Sequence, residues 1–338
     1  MMSKLSEYFK YDLWRVMRPL AYHGAGKSGP FFEGWYFKLI SADGSKRLSI
    51  IPGIYTGKSV EDNHAFIQVM DSTAGSSHFL SFPYDAFSFV PGEMDLHLAG
   101  NHFTQQGISL DLHGDGLDVQ GDLYFSELHP WPVRVASPGV MGWFAWVPGM
   151  ECYHGIVSMD HSLQGSLLVN GHTMDFTGGR GYMEKDWGLA MPRAWVWMQS
   201  NHFNRPATGF TFSIADIPWG LFHFKGFLGG ILLDGRLHRF ATYTGARLLD
   251  FSQTADSVYF TLRDLNKRLY VTAHSAQGAD LRAPTVRQMD RRIQETLSAS
   301  IDLRFEQKIH GVWTEVFSGT GHYAGLERVG ELQRVNPF

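Results

Sequence analysis

The chain has 338 residues, of which 14% are aromatic, 37 are glycine and only 18% are charged, the profile of a β-rich globular protein and not of a disordered or coiled-coil one. Its 29 Lys and Arg against 33 Asp and Glu leave a net charge of −4 without a basic cluster to neutralise phosphates, which excludes nucleic acid as a partner. Cys152 stands alone, so no intramolecular disulfide can form; it reads as a small buried apolar residue, compatible with a reducing compartment.

Residues Met1 to Pro19 carry Lys4, Glu7, Lys10, Asp12, Arg15 and Arg18 with no uninterrupted apolar stretch, so no signal peptide is expected. Leu5 to Met17 fits one short amphipathic helix that Pro19 would end. Period-two alternation then takes over. Ile108, Leu110 and Leu112 alternate with Ser109, Asp111 and His113, and Leu117, Val119 and Leu123 follow the Gly114-Asp115-Gly116 turn as in a half-buried hairpin.

The stretch His129 to Gly149 is rich in Pro and Gly, and no strand runs through Pro130, Pro132, Pro138 and Pro148, so a border is expected near 150 with domains 1–150 and 151–338. Within it, Val135 to Met150 is uncharged and reads as an apolar loop or lid. No run of about 18 apolar residues occurs, so no spanning helix is expected. Asn170-Gly171 and Asp234-Gly235 each sit between alternating runs and suit type I′ hairpins. Later segments, Arg268 to His274, Ala299 to Gln307 and Val312 to Phe317, read as strands, and Val286 to Leu297 as a short helical turn. The fold class is therefore all-β: two barrel-like or sandwich-like units in tandem after a short N-terminal helix, each sheet removing its own edges around an apolar cup.

The densest chemistry lies in Gly181 to Asn201. It combines Glu184, Asp186, Lys185, Arg193, Trp187, Trp195, Trp197, Gln199 and Asn201 in little more than one strand and its turn. Indoles bury a large area and their N–H groups then need partners, so charge beside indole marks a pocket wall. On a strand Glu184 and Asp186 share one face, where they could share a proton, and Lys185 points to the other; Trp195 and Trp197 share a face with Gln199 and Asn201 beyond them. Phe32 to Phe37 echoes Glu184 to Trp187 in the other half of the chain.

Gly29-Pro30-Phe31-Phe32-Glu33-Gly34-Trp35-Tyr36-Phe37-Lys38, preceded by Tyr22-His23, resembles the N-terminal signature of the tocopherol cyclases. Similar blocks follow in the family's order: Ala65-Phe66-Ile67-Gln68-Val69, Glu184-Lys185-Asp186-Trp187-Gly188 with Pro192-Arg193 and Trp197, Leu281-Arg282-Ala283-Pro284-Thr285, and Leu326-Glu327. The family pattern has Asn at the position of Asp186 and Val at that of His202, as a divergent or bacterial member would show. The resemblance implies a two-domain lipocalin-like fold that closes a prenylated hydroquinone to a chromanol, without redox change or cofactor.

That reaction needs a carboxylic acid to protonate the alkene and aromatic faces to shelter the carbocation. Glu33 and Glu184 are the candidate acids because aromatic neighbours would raise a carboxyl, with Asp186 as partner. Trp35, Tyr36, Trp187, Trp195 and Trp197 would line the prenyl tunnel, with Lys185 beside them. Gln199 and Asn201 would bind the phenol hydroxyls, and His23 would accept the phenol proton. Each has a plainer alternative as core, ladder edge or ion-pair partner.

No His-x-His, helical His-x-x-x-His or Cys pair occurs among the 16 histidines and single cysteine, so no metal is expected. Gly178-Gly179-Arg180-Gly181 lacks P-loop spacing, and no Gly-x-Ser-x-Gly elbow is present. Two other functions share this pocket: a carrier of an apolar prenyl or lipid ligand, and an alkene hydratase or pericyclic cyclase. A cytoplasmic protein is expected, its apolar substrate compatible with peripheral membrane contact.

Overall fold

The computed structural model describes residues 14–27, 29–219 and 222–332. Most of the expected N-terminal helix over Leu5 to Met17 lies outside them; residues 14–16 are helical. The rest is almost entirely antiparallel strand.

Nine strands precede the Pro- and Gly-rich segment: β1 (Phe31–Ile40), β2 (Arg47–Thr56), β3 (His64–Asp71), β4 (Ser76–Pro83), β5 (Phe87–Phe89), β6 (Asp95–Leu98), β7 (Asn101–Thr104), β8 (Gly107–Gly114) and β9 (Leu117–Ser126). The segment itself holds the small pair β10 (Val133–Arg134) and β11 (Ser137–Pro138). After it come β12 (Cys152–Val169), β13 (His172–Asp175) and β14 (Arg180–Gly188). These last three complete the first sheet, whose order is β4-β3-β2-β1-β14-β12-β9-β8-β7-β6-β5 with β13 on β12. The expected border near 150 therefore falls inside this sheet. Gly and Pro there mark an excursion between β9 and β12, and the chain leaves for the second sheet only after Gly188. That glycine has φ 153°, and a Cβ would lie 2.3 Å from the Glu151 carbonyl oxygen.

The second sheet comprises β15 (Trp195–Ser200), β16 (Gly209–Trp219), β17 (Phe222–Leu233), β18 (Arg236–Ala241), β19 (Arg247–Gln253), β20 (Ser257–Arg263), β21 (Lys267–His274), β22 (Ala279–Ala283), β23 (Arg291–Ile309) and β24 (Val312–Val329). Its order is β18-β17-β16-β15-β24-β23-β21-β20-β19, with β22 on β23. The two sheets repeat one plan: four strands run outward, a short turn follows, and the remaining strands return until the last pairs with the first.

In each sheet the two edge strands are consecutive in the chain. Tyr84–Ala86, a turn of 3 residues, joins β4 to β5, and three residues reach at most about 10 Å. The sheet must therefore curl until its edges approach, which gives two lipocalin-like barrels in tandem. The plan also corrects the echo between halves. Phe32 to Phe37 and Glu184 to Trp187 are neighbouring strands of one sheet, with Glu33 opposite Trp187 and Tyr36 opposite Glu184.

The hairpin readings match the backbone. Asn170 and Gly171 have φ 48° and 78°, and Asp234 and Gly235 have 50° and 72°, as type I′ turns require. Val286 to Leu297 is a correction, because its later residues enter the long strand β23 instead of a helical turn. Among the described residues no helix is long and apolar enough to cross a membrane.

Packing places the site. The first barrel is filled by Trp35, Phe37, Leu39, Ile50, Phe103, Val119 and their neighbours, and the second by Phe210, Phe212, Phe240, Phe260, Val271 and Phe305. Neither interior is the expected apolar cup. A third apolar cluster, including Tyr36, Met141, Phe144, Met150, Trp195, Trp197, Leu281 and Ile293, lies between the barrels. There the outward residues of β1 and β14 meet those of β15, β16, β17, β22, β23 and β24.

Candidate active site

A cavity of about 170 Å³ opens in this interface. Strand parity decides what reaches it. From β1 it takes Phe32, Gly34 and Tyr36, from β14 Glu184 and Asp186, and from β15 Trp195 and Trp197. The second barrel adds Ala215, Ile217 and Phe224, and β22 to β24 add Leu281, Ile293, Glu295 and Glu327. Met141, Phe144 and Met150 come from the uncharged segment, which covers the cavity as a lid. Its Trp143 is 47% exposed on the outer side.

Two sets of hydrogen bonds brace the walls of this space. Gln68 Nε2 donates to the Arg282 carbonyl at 2.8 Å, and the Arg282 amide donates back to Gln68 Oε1 at 2.7 Å. The Arg291 guanidinium donates to the Pro192 and Arg193 carbonyls, both at 2.7 Å, and lies 4.9 Å from the Trp195 ring centroid. Three of the blocks that carry the family resemblance are therefore joints in the cavity wall.

Of the candidate residues, Glu184, Asp186, Tyr36, Trp195 and Trp197 come together. Glu184 Oε2 accepts from the Tyr182 hydroxyl at 2.5 Å and the Trp197 indole at 3.0 Å, and His154 Nε2 stands 3.5 Å away. The other imidazole nitrogen of His154 is 2.8 Å from Asp186 Oδ1. Glu184 and Asp186 thus share a face as parity requires, but a histidine stands between them in place of a shared proton. Burial opposes the charge on His154, yet the Asp186 and Glu184 carboxylates outweigh it and hold the imidazole up at about 9. Burial pushes the Glu184 carboxyl up to about 7, with His154 pulling against the shift. Cys152 Sγ lies 3.9 Å from Asp186 Oδ1, and the thiol is raised well above its usual range by burial first and this carboxylate second.

The remaining candidates are placed elsewhere. Glu33, Trp35, Lys185 and Trp187 point into the first barrel because they have the opposite parity to Tyr36 and Glu184. Glu33 and Lys185, both 0% exposed, form an ion pair there. Burial opposes the charge on Glu33, but the Lys185 ammonium and His23 together outweigh it and hold the carboxylate below its ordinary range, so Glu33 is not a buried acid facing substrate. His23 donates its amide to Glu33 Oε2 at 2.8 Å and stacks on Trp187 at 4.2 Å between centroids, so it too belongs to the barrel interior. Gln199 and Asn201 lie behind the cavity wall. Lys38 Nζ donates to Gln199 Oε1 at 2.7 Å, while the Asn201 amide donates to Asp160 at 2.9 Å and to the Gly181 carbonyl at 2.8 Å. The expected gradient from indole to amide exists along β15, but its amide end is structural.

Three side chains at the cavity were not among the candidate site residues: His154, Glu295 and Glu327, the last quoted only within the Leu326-Glu327 block. Glu295 and Glu327 are directly opposed on β23 and β24. The Tyr36 hydroxyl donates to Glu295 Oε1, and the Trp195 indole donates to Glu327 Oε2 at 2.6 Å. Burial and the neighbouring Glu327 push Glu295 well above the usual carboxyl range. Burial raises Glu327 to about 7 against the bond from Trp195. One signal was legible: Glu295 falls in step with Ile293 and Leu297, an acid on the apolar parity of its strand.

His154, Glu184 and Asp186 also present ligand atoms within 4.8 Å of one another, a grouping from two strands that linear spacings could not reveal. A cation there would have to displace the proton that His154 holds between the two carboxylates, so we read the three as a hydrogen-bonded triad. Exhaustive chelation is expected to leave turnover unchanged. Loss of turnover restored by a single added metal would overturn the expectation that the reaction needs no metal.

A family model described as tocopherol cyclase-like matches residues 124–330. The probable chloroplastic tocopherol cyclase of Oryza sativa subsp. japonica is 25% identical, the match covering 78% of this chain and 67% of that protein. The chloroplastic tocopherol cyclase of Zea mays is 26% identical over the same shares. Among solved structures, CghA superposes with a TM-score of 0.54 at 11% identity, covering 89% of this chain and 88% of that one. A protein of Nitrosomonas europaea assigned as AttH gives 0.52 at 11% identity, covering 92% and 95%. At such identities these two likenesses speak to the fold alone. The model match, which spans more than half the chain and takes in β12 to β24 with the carboxyl-bearing wall of the cavity, shows that the chain belongs to the tocopherol cyclase-like family.

Proposed function

We propose that the protein is a cyclase that closes a prenylated hydroquinone to a chromanol by protonating the prenyl alkene and capturing the tertiary cation with the phenol oxygen. One observation carries this reading. Among the described residues, the carboxyl groups of Glu295 and Glu327 reach the apolar cavity with no Lys or Arg partner, and Glu184 pairs only with His154. A carrier of an apolar ligand gains nothing from unpaired buried acids, which are expensive to keep. An enzyme that must hand a proton to an alkene requires one.

The surroundings support the same chemistry. Tyr36 and Trp197 meet edge to face at 5.5 Å between centroids, and with Trp195 they offer π faces to a cation beside the acids. The apolar wall of Ile217, Phe224, Phe144 and Met289 suits a prenyl tail. The relatives named as tocopherol cyclases point to the same substrate class.

The test is incubation with a panel of prenylated hydroquinones. The expected product has the mass of its substrate and a different retention time. Binding without conversion would assign the protein as a carrier, and a gain of one water would assign it as a hydratase.

A further inference from the structure

The acid that the family resemblance singles out, Glu184, is surrounded by donors. Tyr182 and Trp197 both give hydrogen bonds to its Oε2, and His154 stands on the same oxygen. Three donors around one carboxylate oxygen describe a group arranged to be an anion, hence an acceptor of protons.

Glu295 is arranged in the opposite way. It is 1% exposed, its Oε1 accepts from the Tyr36 hydroxyl, and its Oε2 has no hydrogen-bond partner. A carboxylate oxygen with no protein donor in a largely apolar wall is poorly stabilised as an anion, whereas a protonated oxygen there can donate. Across the strands its direct partner is Glu327, and like charges directly opposed in a sheet repel. With no Lys or Arg ion pair to either among the described residues, the pair is satisfied by holding one proton.

Tyr36 relates the two stations. Its backbone pairs with Glu184 across β1 and β14, its hydroxyl reaches Glu295 on β23, and all three side chains line the same cavity. A donor and an acceptor facing one cavity are what a reaction needs when its protonated carbon and deprotonated oxygen end up in the same new ring.

We propose that Glu295 and Glu327 hold one proton between them and deliver it to the substrate alkene, while Glu184 receives the phenol proton. The step balances. A C–H bond forms from the Glu295 proton, the phenol oxygen forms the C–O bond and loses its proton to Glu184, and the product is an isomer of the substrate. Exchange with bulk water after product release returns the proton from Glu184 to the pair. This assignment rests on the cyclase reading, although the shared proton can be tested without it.

Infrared spectra at about pH 8, above the values of about 7 held by Glu184 and Glu327, should show a protonated carboxyl band in the wild type. The band should persist in Glu184→Gln and vanish in Glu295→Gln, with thermal melts confirming that both variants fold. With a hydroquinone that the wild type cyclises, Glu295→Gln should lower kcat by about 100-fold or more at unchanged substrate affinity. A wild type without the band, or a Glu295→Gln variant that keeps it, would overturn the shared proton. Turnover of Glu295→Gln within about threefold of wild type would overturn its delivery. If the wild type turned over none of the panel, the cyclase reading and the delivery step would fall together, and the band would still decide whether the pair holds a proton.

Discussion

Glu184→Gln is expected to lower kcat for a prenylated hydroquinone by about 10²- to 10⁴-fold while leaving its affinity within a few-fold of wild type. Glutamine keeps the shape of the side chain, and its amide oxygen still accepts from the Tyr182 hydroxyl and the Trp197 indole that hold Glu184 Oε2. What it loses is the ability to take a proton. The pH profile then separates the two roles open to this residue. As the acceptor, Glu184 must be ionised, so kcat should rise with pH through the value of about 7 to which burial has pushed it. It should fall again only where the Glu295 and Glu327 pair loses its last proton, well above the usual carboxyl range. A rate that falls as pH rises through about 7 would overturn the acceptor role and make the donor a carboxyl that titrates there, Glu327 or Glu184. The groups facing it, His154 on β12, Tyr182 and Asp186 on β14, Trp197 on β15 and Glu327 on β24, set that value together.

Stability follows the same linkage with a definite sign. Because the folded state holds the Glu184 proton up to about 7 against an ordinary value of 4.5, it binds more protons than the unfolded chain between those values, and stability falls as pH rises through them. A shift of that size corresponds to a penalty on the order of 3 kcal/mol at alkaline pH. Glu184→Gln should therefore unfold at a higher denaturant concentration than wild type at about pH 8 and gain nothing near pH 4. An active site that is destabilising when ionised is what function, and not folding, maintains.

The sequence reading went furthest where one strand carried the information. Parity alone put Glu184 and Asp186 on one face and Lys185 on the other, and it put Trp195 and Trp197 together; the cavity wall has that arrangement. The type I′ turns were legible for the same local reason, since Asn-Gly and Asp-Gly accept positive φ. Parity does not say which face of a barrel strand is the inside of a barrel and which faces another barrel. Both faces of β1 are buried, almost without interruption, so from the sequence Glu33 and Trp35 on one face and Tyr36 on the other are equally good pocket candidates. Only the pairing of β1 with β14 separates them, by bringing Lys185 onto Glu33. The border near 150 failed for a related reason. Pro and Gly mark where strands cannot run, and here they mark a lid inserted between β9 and β12 of a single sheet. Glu295, Glu327 and His154 enter the site through contacts between strands distant in the chain, for which one sequence offers no ruler.

Lys185→Met is expected to cost about 3–5 kcal/mol, a large part of the roughly 5–15 kcal/mol that holds a domain together. The Lys185 ammonium is fully buried, donates to the Ala21 carbonyl at 2.7 Å and lies 4.9 Å and 4.8 Å from the ring centroids of Trp35 and Trp187. Methionine would fill most of that volume, so packing is not the main loss. The loss is electrostatic, since Glu33 would remain in the barrel interior with the His23 amide as its remaining strong donor. A buried carboxylate without its cation is the costly species, and the remedy is to neutralise it. The double variant Lys185→Met with Glu33→Gln should therefore recover most of the lost stability in urea titrations, and Glu33→Gln alone should also be destabilised because it strands the ammonium. The double variant also asks whether Glu33 has any part in the chemistry. If the pair is only structural, turnover per folded molecule should stay within a few-fold of wild type; a loss comparable to that of Glu184→Gln would restore Glu33 as a catalytic acid.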